Sequence, residues 1–290
     1  MEVHFYSGPG LKLAGFLEIP VDYRQGEKRP GIVICRGPGN IKGKLAPEVC
    51  SRLAGAGYVA LHFYYRGFFD SEGPERRLIP LEQVEDIRNA MTFLQNRDEV
   101  DRERIGLWGS ATGGSLVSYT AGIDTRVKCM VALHATGDMG RWLRGMRRYW
   151  EWQELLQMIE EDRVNRVLTG ESRRVDFSEI LLPDPKTQKA PQEKADKTDY
   201  AVESAGAMVE FQSERVVDRI SPRAAMWICL EGDRLVPNEE AWSLYHKAGE
   251  PKKLVAIKAE DQHYALYEGP GFEEMMVNSI EWYDTHLKTS

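Results

Sequence analysis

Seven short apolar runs punctuate the chain: "KLAGFLEI" (12–19), "GIVIC" (31–35), "YVALHFY" (58–64), "RIGLWG" (104–109), "VKCMVALHA" (127–135), "AAMWICLE" (224–231) and "KKLVAIKA" (252–259). They are continuously apolar, not alternating, and strands of that kind need cover on both faces. Helical patterns lie between them. Val84, Ile87, Met91 and Leu94 recur at helical spacing in "LEQVEDIRNAMTFLQNR", and Met276, Ile280, Tyr283 and Leu287 repeat the pattern near the C-terminus. Strand alternating with helix predicts an α/β fold with a mainly parallel, doubly wound sheet.

The alternation breaks once, between about Gly137 and Ser221. Here "RWLRGMRRYWEWQELLQMIEEDRVNRVLTG" predicts one long helix with Trp142, Met146, Tyr149, Leu156 and Ile159 on a stripe. A polar segment, "PDPKTQKAPQEKADKTDY", follows, and then a second helical stretch near 200–218. The expected organisation is a core domain of residues 1–136 and 219–290, with residues 137–218 inserted as a helical lid. Ligands of open α/β sheets bind at the C-terminal edge of the strands, so the insertion is expected to lie over that edge. Trp142, Tyr149 and Trp150, together with Trp152, are candidates for lining an aromatic substrate cavity there. Arg141, Arg144, Arg147 and Arg148 are expected to form a solvated face.

A formal charge of −7 and a pI near 5.5 leave no basic field for nucleic acid or for an anionic membrane surface. No stretch approaches the roughly 18 apolar residues of a membrane span, and the N-terminus does not read as a secretory leader. Cys35, Cys50, Cys129 and Cys229 show no C-x-x-C spacing, and three of them sit in apolar runs, as buried thiols of a reducing compartment do. The expected setting is cytoplasmic. The expected partners are a small-molecule substrate and, at most, a second copy of the chain in a homodimer, with no cofactor and no metal.

One stretch carries chemistry. In "RIGLWGSATGGSLVSYTAG" a strand runs into a tight turn and then a helix, with Gly109 and Gly113 at the two ends of the turn. Taken alone, such a turn suits either a strained, closely packed corner or phosphate binding at the helix N-terminus. The segment resembles the nucleophile elbow of the α/β-hydrolase superfamily, where Gly-x-Ser-x-Gly presents a catalytic serine. Among its branches the chain is most similar to the dienelactone-hydrolase-like group, and also resembles the polyketide acyltransferases. At the nucleophile position, however, stands Ala111.

The resemblance implies an acid after a late strand and a histidine before the last helix. Asp233 in "LEGDRLVP" and His263 in "AEDQHYAL" occupy those places. Alone, each reads as a turn or loop residue; together, after the elbow, they read as a catalytic pair. His4, His62, His134, His246 and His286 are expected to be structural, with His134 set apart because it ends the strand after the elbow helix and can face the pocket. The segment "ICRGPGN" resembles the family's oxyanion loop, which implies amide donors at Gly37 and at Thr112; Pro38 has no N–H to offer. Its plainer reading is an ordinary strand-to-helix turn. The segment "YYRGFFDSEG" resembles a further family marker after the fourth strand.

Ala111 has no hydroxyl, so acyl-enzyme chemistry at that position is closed. Three explanations are open: a parent serine deliberately replaced to trap substrate, a naturally non-catalytic binder, or another route to a nucleophile. The last includes water activated by His263 and Asp233, or Ser110, Thr112 or Cys35. An elbow aims only its central side chain at the pocket, which counts against Ser110 and Thr112. The retained glycines, Asp233 and His263 favour replacement. The function expected of the serine form is hydrolysis of an ester, thioester or amide of a bulky, partly apolar substrate. Acyl transfer to an alcohol and carbon–carbon bond cleavage are the alternatives on the same fold.

Overall fold

The computed structural model describes residues 1–37, 44–183, 185, 198–259 and 263–288. An eight-stranded sheet forms the centre, in the order β1-β2-β4-β3-β5-β6-β9-β10. Its strands are β1 (Glu2–Ser7), β2 (Leu11–Glu18), β3 (Arg29–Cys35), β4 (Val59–Phe63), β5 (Val100–Ser110), β6 (Val127–Leu133), β9 (Ala224–Leu230) and β10 (Lys252–Ile257). From β4 to β10 neighbouring strands are parallel; β1 and β2 join antiparallel at one edge. Helices α1 (Leu45–Gly55), α2 (Pro80–Gln95), α3 (Thr112–Ile123), α8 (Asn238–Lys247) and α9 (Gly269–His286) cover the sheet. The runs of the central strands are buried on both faces because the helices lie on both, while that of the edge strand β10 is mostly half-buried: one core cluster includes Val33, Leu107 and Met130, another Ile34, Trp108 and Val131. All seven predicted runs are strands. The eighth strand, β1, alternates exposed and buried along its length, as suits a partly solvated edge.

The inserted segment departs from its expected form. The predicted long helix is two, α4 (Met139–Gly145) and α5 (Tyr149–Thr169). Between them Arg147 is buried, its guanidinium donating to the carbonyls of Leu143, Glu179 and Ile180, so Arg147 is not part of a solvated face. The buried positions of α5 are Leu155, Ile159 and Asp162, not the stripe through Tyr149 and Leu156. Two three-residue strands, β7 (Arg174–Asp176) and β8 (Asp199–Ala201), pair antiparallel where none was expected; they are too short to produce a periodic signal. Helices α6 (Phe177–Ile180) and α7 (Glu203–Glu210) also belong to the described part of the segment. Of the polar stretch 183–200, residues 184 and 186–197 lie outside the described residues.

Backbone contact fixes the centre of the sheet's C-terminal edge. A side chain at Gly113 would run into the carbonyls of Cys35 and Arg36 at the end of β3, and one at Gly109 into the carbonyl of Gly113. A Cβ at Gly114 would stand 2.8 Å from the Leu133 carbonyl at the end of β6. Three parallel strand ends and one helix start are thereby drawn together. In Gly113→Ala, relief of this contact requires backbone movement, and urea unfolding should show a loss of about 2–4 kcal/mol; an unchanged midpoint would contradict the packing.

On the antiparallel side, His62 of β4 stacks on Phe16 of β2 with ring centroids 5.0 Å apart and is 4% exposed. Burial, aided by the charge of Arg36, pushes its pKa down from 6.5 to about 4. The unfolded chain therefore binds a proton that the folded chain refuses, and stability falls as pH drops from 6.5 towards 4. The loss attributable to His62 is roughly 3 kcal/mol at the acid end of that window. Comparing unfolding free energies of the parent and His62→Phe from pH 7 to 4 should show a flatter acid slope in the variant.

Candidate active site

The turn between β5 and α3 holds Ala111 at φ 51°, ψ −123°, a region that L residues rarely adopt. Its amide donates to the Leu133 carbonyl at 2.8 Å, which ties the turn to the end of β6. A Cβ built on Gly37 would lie 3.2 Å from the Ala111 Cβ and 3.3 Å from the Ser110 carbonyl, so Gly37 flanks Ala111. Thr112 is the first residue of α3 and is 2% exposed; as the first residue, its amide has no acceptor within the helix. Gly37, just after the end of β3, and Thr112, the residue that follows Ala111 in the chain, thus both lie beside Ala111. Pro38 lies outside the described residues.

Ala111 brings no nucleophilic atom, and its neighbours do not replace it. Ser110 is buried as the last residue of β5. Burial pushes the Cys35 thiol well above its ordinary range, the opposite of an activated thiolate.

Asp233 and His263, far apart in sequence, meet. The Asp233 Oδ2 accepts from the His263 Nδ1 at 2.8 Å, and both side chains are buried. Asp233 Oδ1 accepts the amides of Leu235 at 2.8 Å and Val236 at 3.2 Å, which set the carboxylate's orientation. Burial by itself would raise this carboxyl; contacts with His134 and His263 outweigh it and hold Asp233 well below the usual carboxylate range. On the other side of the imidazole, the Tyr267 hydroxyl is 3.3 Å from His263 Nε2.

His134 is the residue that sequence reasoning had assigned a structural role, while singling out its position at the end of β6. That position was the available signal. It lies at φ 50° one residue beyond Leu133, and its ring packs on that of His263 at a centroid distance of 4.3 Å. Its Nδ1 is 3.1 Å from the same Asp233 Oδ2, yet neither ring nitrogen has an aligned hydrogen-bond partner among the described residues. Burial, then repulsion from His263, lowers its pKa, so its neutral form is favoured. A continuous set of contacts thus runs from Ala111 through Leu133 and His134 to His263 and Asp233.

The aromatic candidates do not gather at this site. Trp142 is buried and donates its indole N–H to the Leu235 carbonyl at 2.7 Å, tying α4 to the loop that carries Asp233. Tyr149 is 67% exposed and Trp150 56% exposed; they lie near the guanidinium groups of Arg144 and Arg148 respectively. Arg141 pairs with Glu240 and Glu214 instead of facing solvent alone. Next to the elbow, Arg36 lies over the rings of Tyr64 and Phe69 and, with Gly37, Tyr65, Phe68 and Gln83, lines a small pocket that sequence reasoning missed.

Residues 13–143 match the dienelactone hydrolase family. An uncharacterized 31.7 kDa protein of the traX-finO intergenic region of Escherichia coli is 28% identical over 263 residues, 90% of this chain and 92% of that protein. The thiohydrolase apmlB of Arthrinium phaeospermum is 36% identical over 133 residues, 46% of this chain and 42% of its own. The polyketide transferase grgF of a Penicillium species is 25% identical over 278 residues, 89% and 88% of the two chains. The crystal structure of the α/β hydrolase GrgF from Penicillium sp. sh18 superposes with a TM-score of 0.82, covering 99% of each chain at 22% identity. The strand order, the strained turn after β5 and the structural likeness show the α/β-hydrolase fold, and residues 13–143 are similar to the dienelactone hydrolase family.

Proposed function

We propose that the chain carries the acid and the histidine of a serine-type acyl hydrolase, with Ala111 standing where a parent serine acted. The observation that carries this reading is the buried 2.8 Å Asp233–His263 bond, at the same strand edge as a turn that keeps its strain without a nucleophile to present. A backbone held at φ 51° costs about 1–3 kcal/mol. Such a cost is expected where the turn once aimed a reactive side chain.

In the serine form, the hydroxyl oxygen adds to the acyl carbonyl and its proton passes to His263 Nε2. Asp233 stabilises the resulting imidazolium, and the amides of Gly37 and Thr112 receive the carbonyl oxygen as it becomes negative. The imidazolium proton then goes to the departing thiol, alcohol or amine. Water repeats the sequence on the acyl-enzyme and releases the acid. A thioester fits best among the acyl classes, because two relatives are named thiohydrolase and polyketide transferase and both names point to activated acyl groups. An alcohol acceptor in place of water would turn hydrolysis into acyl transfer. In this reading the described part of segment 137–218 serves as the lid, tied to the loop of Asp233 by the Trp142 indole on the Leu235 carbonyl.

A second reading, a binder without turnover, draws support from Tyr267, whose hydroxyl already engages His263 Nε2 in the chain with Ala111. The two separate experimentally. Ala111→Ser should be labelled by a fluorophosphonate probe, whereas the chain with Ala111 should not. Asp233→Asn added to that variant should slow labelling by about 10³–10⁴-fold. Absence of labelling in a folded Ala111→Ser protein, with an acyl thioester bound but not consumed, would establish the binder.

A further inference from the structure

We infer that His134, Asp233 and His263 form a site for a divalent first-row transition ion of the zinc type. This uses the same Asp233–His263 pair as the proposed triad but needs no serine at position 111. The three residues follow three different strands, β6, β9 and β10, and their ligand atoms all lie within 4.8 Å of one another, every side chain buried. Two imidazoles and one carboxylate are a donor set that suits such an ion and leaves a fourth position for water or a substrate oxygen.

His134 supplies the independent observation. It is 1% exposed, and neither of its ring nitrogens has a hydrogen-bond partner among the described residues. An unsatisfied buried polar atom is costly, and an ion that accepts a nitrogen lone pair removes that cost. The Nδ1 of His134 lies 3.1 Å from Asp233 Oδ2 but is not aimed along a hydrogen bond. Ligands of a tetrahedral ion at about 2.0 Å stand about 3.3 Å apart, with their lone pairs directed at the ion and not at each other. The 2.8 Å and 3.1 Å separations from Asp233 Oδ2 approach that spacing.

The surroundings match what orients metal ligands elsewhere. The amides of Leu235 and Val236 hold Asp233 Oδ1, leaving Oδ2 as the single donor oxygen, and the Tyr267 hydroxyl meets His263 at Nε2. The two uses of His263 need opposite tautomers. A triad requires the proton on Nδ1, whereas a metal ligand at Nδ1 requires it on Nε2, where Tyr267 accepts it.

The test titrates the full chain, with Ala111 in place and freed of metal, with Zn²⁺ by calorimetry and with Co²⁺ by visible absorption. The expected result is about one saturable ion per chain, with the intense visible bands of four-coordinate Co²⁺. His134→Ala and Asp233→Asn should each weaken binding by about 100-fold or more, while the exposed His246→Ala should not. Absence of saturable binding, or affinity unchanged in His134→Ala, overturns the site. If His134→Ala fails to fold, the Co²⁺ spectrum of the intact chain decides, and weak six-coordinate bands overturn the proposal. Zinc binding without labelling of Ala111→Ser would dismiss the triad and keep the metal site; labelling without zinc binding would do the reverse.

Discussion

The close backbone approach at the turn between β5 and α3 is the constraint on which the rest of the molecule depends. Because Gly109, Gly113 and Gly114 carry no Cβ, the ends of β3, β5 and β6 pack against one helix start at distances no other residue would permit. Everything attached to those ends is thereby brought to one edge: Gly37 after β3, Ala111 and Thr112 after β5, His134 after β6. The strained Ala111 backbone persists because the surrounding contacts determine it, whether or not a reactive side chain is present.

Two buried carboxylates complete that edge. Asp233 accepts from His263 and two backbone amides with His134 close beside it, and its negative charge survives burial because these contacts outweigh desolvation. Glu240 at the start of α8 accepts the amides of Gly137 and Asp138 and the guanidinium of Arg141, fixing the chain where it leaves β6 for the inserted segment. Trp142 then binds the Leu235 carbonyl, so the insertion is anchored to the loop that carries Asp233. The inserted segment and the site are in this sense one assembly: loosening α4 would disturb the carboxylate that orients His263.

Much of this was legible in the sequence. The apolar runs announced the parallel strands because a doubly covered strand must be apolar throughout. The glycine spacing announced the turn, and the chain order singled out Asp233 and His263. The inserted segment was read less well. Helical periodicity passed through Met146 to Arg148 without a break, since at the break the buried guanidinium of Arg147 reaches the carbonyls of Glu179 and Ile180 in α6, a contact that no local pattern records. Tyr149 and Trp150 were read as cavity residues because their type suits a cavity, but their exposure is set by which face of α5 packs on the core.

The sequence by itself determined the α/β architecture, the position of the turn and the absence of a hydroxyl at its tip, because each is written in local composition and period. Only the tertiary structure decided the company of Asp233. His134 and His263 are separated by the entire inserted segment, and the local sign at His134 is no more than its place at the end of a strand. Parallel strands place their C-terminal ends side by side regardless of the chain length between them, and that geometry puts two imidazoles on one carboxylate.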